Sequence, residues 1–157
     1  MKKLTAVILG IVVASSACGG GASIVTGPDL LTYVGSSQVT GANPMRFSSK
    51  VVITNPTTES ITFTPACLTP RTLVYSTAAR TGTPIWDSKV RDAATLCAAT
   101  PAPVTLAAGK SVTYTLTATG SEVLGATGIP STYYLVNEVT LDGVPYRVSG
   151  GDIALAR

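Results

Sequence analysis

The clearest pattern in the chain is a strict alternation of apolar and polar residues towards its C-terminal end. In residues 111–119, apolar side chains alternate with serine and threonine, which predicts a strand with one buried face. Residues 132–141 follow the same period, and Asp142 and Gly143 then predict a two-residue hairpin turn. Because successive side chains point to opposite faces, this turn also sets the register. The predicted cross-strand pairs are Leu141 with Val144, Val139 with Tyr146, and Asn137 with Val148.

A second strand with one buried face is predicted for residues 45–55. Phe47, Val51 and Ile53 fall on one side of it, and Ser49 interrupts that apolar side. A turn follows at residues 55–58, because proline and asparagine favour turns. Five shorter strands are predicted at residues 30–34, 61–64, 73–76, 85–86 and 153–155.

The spacing of these strands predicts the fold. Residues 87–103 read as a long irregular connection and residues 122–130 as a loop, and no helix is predicted beyond the N-terminal segment. Seven to nine short strands separated by turns are typical of an all-β domain. We therefore expect an Ig-like antiparallel β-sandwich over residues 29–157, with a β-barrel as the alternative.

The N-terminal segment has the parts of a bacterial lipoprotein signal. Lys2 and Lys3 precede eleven apolar residues, too few to cross a bilayer, and small residues lead to Cys18. A lipobox usually has Leu where this chain has Ser15, so cleavage after Ala17 without lipidation is the alternative. The prediction is a signal peptide over residues 1–17, and a lipid anchor on Cys18 with a flexible Gly-rich tether over residues 18–28.

This signal predicts an exported protein held at the cell envelope by lipid on Cys18. Gly19 permits the outer membrane in a cell with two membranes. Without Lys2 and Lys3, nine basic residues face eight acidic ones, so the mature net charge is +1. A nearly neutral chain gives no electrostatic reason to bind nucleic acid. The expected partners are the membrane and either another envelope protein or a protease.

The remaining cysteines, Cys67 and Cys97, predict a disulfide because an exported domain folds in an oxidising space. The alternative is a pair of buried free thiols. A zinc site is not expected, since the chain has no histidine to complete the ligand set. No cofactor is expected either.

Four stretches within residues 50–142 share a pattern with a known family: Val51-Val52-Ile53-Thr54-Asn55, Gly82-Thr83-Pro84-Ile85-Trp86, Leu106-Ala107-Ala108-Gly109-Lys110-Ser111 and Pro130-Ser131-Thr132-Tyr133. In their order and spacing they resemble the bacterial intracellular proteinase inhibitor (BsuPI) family of Ig-like domains. The resemblance implies an inhibitor that inserts an exposed loop into a serine protease, and residues 91–103 are the candidate loop. The export signal and the two cysteines depart from an intracellular inhibitor, and Ser131 replaces a family glycine.

Two aromatic residues have predicted structural roles. We expect Trp86 to be a core anchor, because a buried tryptophan removes a large apolar area from water. We expect the Tyr133 hydroxyl to bond the backbone, as the tyrosine corner of Ig-like domains does.

Catalytic chemistry is not expected. Without histidine, Ser-His-Asp and Cys-His arrangements are excluded, and the acidic residues are predicted to be solvated at turns and loops. The leading interpretation is a lipid-anchored binding or assembly module, and proteinase inhibition is the second. A small-ligand binder or an enzyme is the third, and it would require a pocket with converging polar groups.

Overall fold

The computed structural model describes residues 23–26, 30–91, 97 and 101–157. Within these residues the chain forms ten strands and two short helices. The strands are β1 (Ser23–Thr26), β2 (Thr32–Ala42), β3 (Met45–Thr54), β4 (Ile61–Phe63), β5 (Arg71–Tyr75), β6 (Trp86–Asp87), β7 (Val104–Leu106), β8 (Ser111–Thr119), β9 (Ser131–Leu141) and β10 (Val144–Leu155), and the helices are α1 (Ser88–Arg91) and α2 (Gly120–Leu124).

Two four-stranded antiparallel sheets form the domain. One has the order β1-β2-β3-β8 and the other β10-β9-β5-β6, while β4 and β7 make a separate two-stranded ribbon. In the lettering of the Ig fold, β2, β3 and β8 correspond to strands A, B and E of one sheet, and β3 pairs with β8 as B pairs with E. In the other sheet β5, β9 and β10 correspond to strands C, F and G, and β9 lies between the other two as F does. This arrangement confirms the predicted Ig-like β-sandwich over the alternative barrel.

The β9–β10 hairpin has the register that its sequence predicts. Val144 pairs with Leu141, Tyr146 with Val139, and Val148 with Asn137. Asp142 and Gly143 take φ angles of 48° and 81°, which a two-residue turn with both central residues in the left-handed region requires. The predicted strands at residues 45–55 and 111–119 are also confirmed, as β3 and β8.

The core has two main clusters, one towards each end of the sandwich. The first contains Val51, Tyr114 and Leu141, together with Tyr33 and Tyr146, whose stacked rings have centroids 4.6 Å apart. We call this the disulfide end. The second cluster contains Phe47, Leu124 and Leu155, beside α2 and the β2–β3 hairpin. We call this the α2 end.

The structure differs from prediction at two helices and at β1. Helix α2 replaces part of the loop expected at residues 122–130, and α1 begins the connection expected to be irregular. A capping box starts α2, since Thr119 and Glu122 each accept a hydrogen bond from the other's backbone amide. Ser23–Thr26, which the sequence places within a flexible tether, pairs with β2 as strand β1.

Candidate functional site

A cleft of about 360 Å³ opens on the disulfide side of the domain. Its walls come from the β4–β5 connection, the start of β5, α1, Cys97 and the last part of β9. The cleft forms here because β5 begins only at Arg71, so the preceding residues run beside β9 with few ladder bonds. Pro65 makes one bridge to Leu141, and the Ala66 amide donates to the Thr140 carbonyl.

A disulfide between Cys67 and Cys97 forms part of this wall, as the sequence predicts. The two Cα atoms are 4.9 Å apart, and the bond joins residues that are 30 positions apart in the chain. It ties the connection after α1 to the edge of the cleft. Cys18, the predicted lipidation site, lies outside the described residues.

Arg71 organises the charges at the cleft. Its guanidinium donates two hydrogen bonds to the Asp87 carboxylate, at 2.6 and 3.1 Å, and one to Glu138 at 3.2 Å. The Arg147 guanidinium lies 3.5 Å from the other Glu138 oxygen. These contacts hold two carboxylates and two guanidinium groups in a nearly neutral network.

The same contacts shift the pKa values of the network. The hydrogen bonds from Arg71 lower the pKa of Asp87, helped by the Lys89 backbone amide and opposed by partial burial. The hydrogen bond to Asp87 likewise raises the pKa of Arg71. Asp87 therefore stays ionised at neutral pH, so it has no proton to donate, and its lowered pKa makes it a weaker proton acceptor.

Behind the cleft, a buried amide joins the two sheets. The Asn137 side-chain oxygen accepts hydrogen bonds from the hydroxyls of Ser49 in β3, at 2.9 Å, and Thr72 in β5, at 2.8 Å. All three residues are fully buried. Ser88, at the start of α1, accepts a bond from the Thr72 amide at 2.8 Å, which fixes the helix against β5. Buried polar groups with these partners hold the cleft wall rigid.

Thr69 is the exception among these satisfied groups. Its hydroxyl is buried in the cleft wall and has no hydrogen-bond partner among the described residues. Next to it in the chain, Leu68 is 65% exposed, and Val90 beside the lining residue Lys89 is 79% exposed. The cleft wall thus contains an unpaired buried hydroxyl, and two exposed apolar side chains stand next to lining residues in the chain; we call Leu68 and Val90 the apolar rim. A ligand with both polar and apolar groups would suit this combination.

Three further sequence predictions can be compared with the structure. Trp86 is half-buried on the edge strand β6 and packs against the second core cluster from the side, rather than filling the core centre. Tyr133 is buried, and its hydroxyl donates to the Ile129 carbonyl at 2.7 Å. The expectation of a solvated Asp87 is wrong, because its side chain is 15% exposed and paired with Arg71.

The charged network was not predicted from the sequence, although one of its contacts could have been predicted from the hairpin register. The predicted hairpin register places Glu138 directly opposite Arg147 on the outer face, so that contact follows from the turn alone. The contact between Arg71 and Asp87 depends on β5 pairing with β6 and has no comparable local signal. Most of the candidate inhibitory loop, residues 92–96 and 98–100, lies outside the described residues.

Among the described residues, no helix has the length and apolar character that a membrane span needs. No protein-family model matches the chain, and a search of curated proteins likewise finds no match. The resemblance to the proteinase inhibitor family therefore rests on the sequence stretches quoted above and stays a prediction.

Proposed function

We propose that this chain is a lipid-anchored binding module of the cell envelope, without catalytic activity, and that the cleft beside Cys67–Cys97 is its binding site. The observation that carries the proposal is the unpaired Thr69 hydroxyl in a cleft with an apolar rim. A buried hydroxyl without a partner costs free energy, and a ligand that bonds it would recover that cost.

The charges of the cleft favour binding over catalysis. Arg71 and Arg147 balance the charges of Asp87 and Glu138, and the lowered pKa of Asp87 leaves it without a proton to donate and makes it a weaker base at neutral pH. The chain has no histidine to serve instead. A rigid cleft whose carboxylates are paired with guanidinium groups is suited to recognising a shape rather than to moving protons.

The rim indicates the class of ligand. Leu68 and Val90 present apolar side chains to solvent next to the cleft, and the volume lies at the lower end of the range for small-ligand sites. An apolar side chain with its flanking peptide groups fits both features, since a peptide amide or carbonyl can bond Thr69. The proposed ligand is therefore a segment of another envelope protein.

Site-specific photocrosslinking in the cells that make the protein tests this proposal. A photoreactive benzoylphenylalanine at Leu68 or Val90 is expected to give a discrete adduct. The same group at Thr115, which is exposed on the opposite sheet, is expected to give none.

A blocking variant controls the crosslinking experiment. Ala66→Phe places a ring in the cleft from an exposed position and is expected to remove the adduct. Ala78→Phe, at an exposed loop position, is expected to leave it unchanged. Equal adducts at Thr115, or adducts that survive Ala66→Phe, would contradict the assignment of the cleft.

Proteinase inhibition is the second candidate function, and the disulfide is the observation that favours it. Cys97 is exposed and bonded to Cys67, so the loop that contains it is pinned at one point, and pinning reduces the entropy lost on binding a protease. Inhibition assays against trypsin, chymotrypsin and subtilisin test it. We expect inhibition that reduction of the disulfide weakens, and no effect on any of the three enzymes would exclude this class of target.

A further inference from the structure

The direction in which β1 enters its sheet restricts how the domain can sit on a membrane. Ser23 pairs with Gly35 in the middle of β2, and Thr26 pairs with Thr32 towards the disulfide end. β1 therefore runs towards the disulfide end, and an extended chain that leads into Ser23 along the same line would come from the side of the α2 end.

The reach of that chain is short. Five residue steps separate Cys18 from Ser23, and they span at most about 18 Å. From the level of Ser23, β3 continues from Val51 to Met45 towards the α2 end. Those six steps cover about 20 Å. A lipid on Cys18 thus cannot lie far beyond the tip of the β2–β3 hairpin.

The α2 end presents side chains that suit a lipid headgroup layer. Ile129, in the loop after α2, is 74% exposed, and Val39, near the hairpin tip, is 47% exposed. Arg46 and Arg157 are also exposed at this end, and Glu122 and Asp152 are exposed acidic residues on the same part of the domain. The charge difference is small, so the contact is expected to depend more on the short tether and the apolar residues than on anionic lipid.

We propose that the α2 end of the sandwich sits directly on phospholipid headgroups, with Ile129 in contact with them and the disulfide cleft facing away from the bilayer. This inference rests on the proposed lipid anchor at Cys18. In this orientation the cleft is open to partners in the aqueous space, and α2 is not.

Fluorescence quenching by lipid tests the orientation. The chain has one tryptophan, Trp86, so Trp86→Phe provides a silent background. Into it we introduce Ile129→Trp or, as the matched control, Leu68→Trp, which is similarly exposed. The lipidated proteins are placed in vesicles of phosphatidylethanolamine and phosphatidylglycerol that contain a shallow brominated lipid. We expect at least twofold stronger quenching at position 129 than at position 68.

A longer tether sharpens this test. A 20-residue Gly/Ser insertion after Gly21 adds a root-mean-square reach of about 25 Å, and quenching at position 129 is expected to fall towards that at position 68. Equal quenching at both positions without the insertion would overturn the proposed orientation.

Vesicle flotation and intact mass separate the orientation from the anchor. A protein that floats and carries lipid on Cys18 but shows no quenching at position 129 rejects the orientation alone. A protein without lipid that stays in solution rejects the anchor, and the orientation with it.

Discussion

The β9–β10 hairpin and the β5–β6 segment belong to the same sheet but are held in place by different kinds of contact. The hairpin is joined by a two-residue turn, and its apolar side chains continue across that turn in register. The β5–β6 segment pairs over only two residue pairs. Its position depends on Arg71 with Asp87, on Thr72 with Ser88, and on the nearby disulfide. Local patterning therefore shapes one edge of the sheet, and distant polar and covalent contacts shape the other.

Of the changes considered, removal of the disulfide should destabilise the β5–β6 segment most relative to the β9–β10 hairpin. We expect the Cys67→Ser/Cys97→Ser double variant to lose about 3–4 kcal/mol in the free energy of unfolding, because the bond closes a loop of 30 residues. Urea unfolding measures the loss. Hydrogen exchange should show faster exchange of amides around the cleft while those of β9 and β10 remain protected.

The oxidised and reduced wild-type proteins provide the control for that variant. Reductant should reproduce the loss in the wild type and have no effect on the double variant. A loss below about 1 kcal/mol would mean that the cleft wall holds without its crosslink.

Asn137 lies in β9 and accepts a hydrogen bond from Thr72 in β5, so its replacement should destabilise both the hairpin and the β5–β6 segment. Asn137→Ala leaves the buried hydroxyls of Ser49 and Thr72 without their acceptor. We expect a loss of about 2–3 kcal/mol, measured by urea unfolding. Thr140→Ala, on the same strand and half-buried, is the control and should cost less than half as much. Equal losses would show that Asn137 contributes only ordinary packing.

Substitution in the β9–β10 hairpin turn should cost less stability than replacement of Asn137. Gly143 has a φ of 81°, and an added Cβ would meet no atom within 4 Å, so Gly143→Ala introduces backbone strain without a clash. We expect a loss of about 1–2 kcal/mol in thermal unfolding. Gly143→Asn should lose less, since asparagine tolerates positive φ. An alanine variant as stable as the wild type would contradict this account of the turn.

The smallest expected effect concerns Asp87 and pH. Its pKa is lowered in the folded state from an ordinary value of 3.8, so its stabilisation is present above about pH 4 and is lost as the pH falls through the lower folded value. Asp87→Asn should cost about 0.5–1 kcal/mol at pH 7 and reduce the further loss of stability on acidification.

Unfolding free energies measured between pH 7 and pH 3 test whether the stabilisation by Asp87 is lost on acidification. Asp152→Asn, at an exposed carboxylate, is the matched control. If both variants lose stability on acidification as steeply as the wild type, the ion pair with Arg71 does not contribute.

The predictable part of this fold follows from local geometry. A two-residue turn and a period of two are enough to place Leu141 opposite Val144, because both operate within a few residues. The sequence also marks Ser49 and Asn137 as polar residues on inward faces, and buried polar groups need partners, so their mutual hydrogen bond had a detectable signal.

The cleft could not be predicted in this way. Its walls meet only when the disulfide, α1 and β9 come together, and α1 spans four residues without acidic residues in its first turn. Thr69 is one of many threonines in a Thr-rich chain, and only the surrounding packing distinguishes its hydroxyl. Sites built from long-range contacts leave little trace in local periodicity.

The hydrogen bond from the Ser37 hydroxyl to the Gly150 carbonyl has a consequence for the order of assembly. It joins β2 to β10 across 113 positions of sequence, and at the same level the Gly35 backbone approaches Ser149 too closely for any larger residue. The first long strand therefore cannot complete its packing until the last one has been made. Chains whose contacts span such separations fold slowly. The domain therefore closes into its final shape only after the C-terminal strand β10 is available to pack against β2.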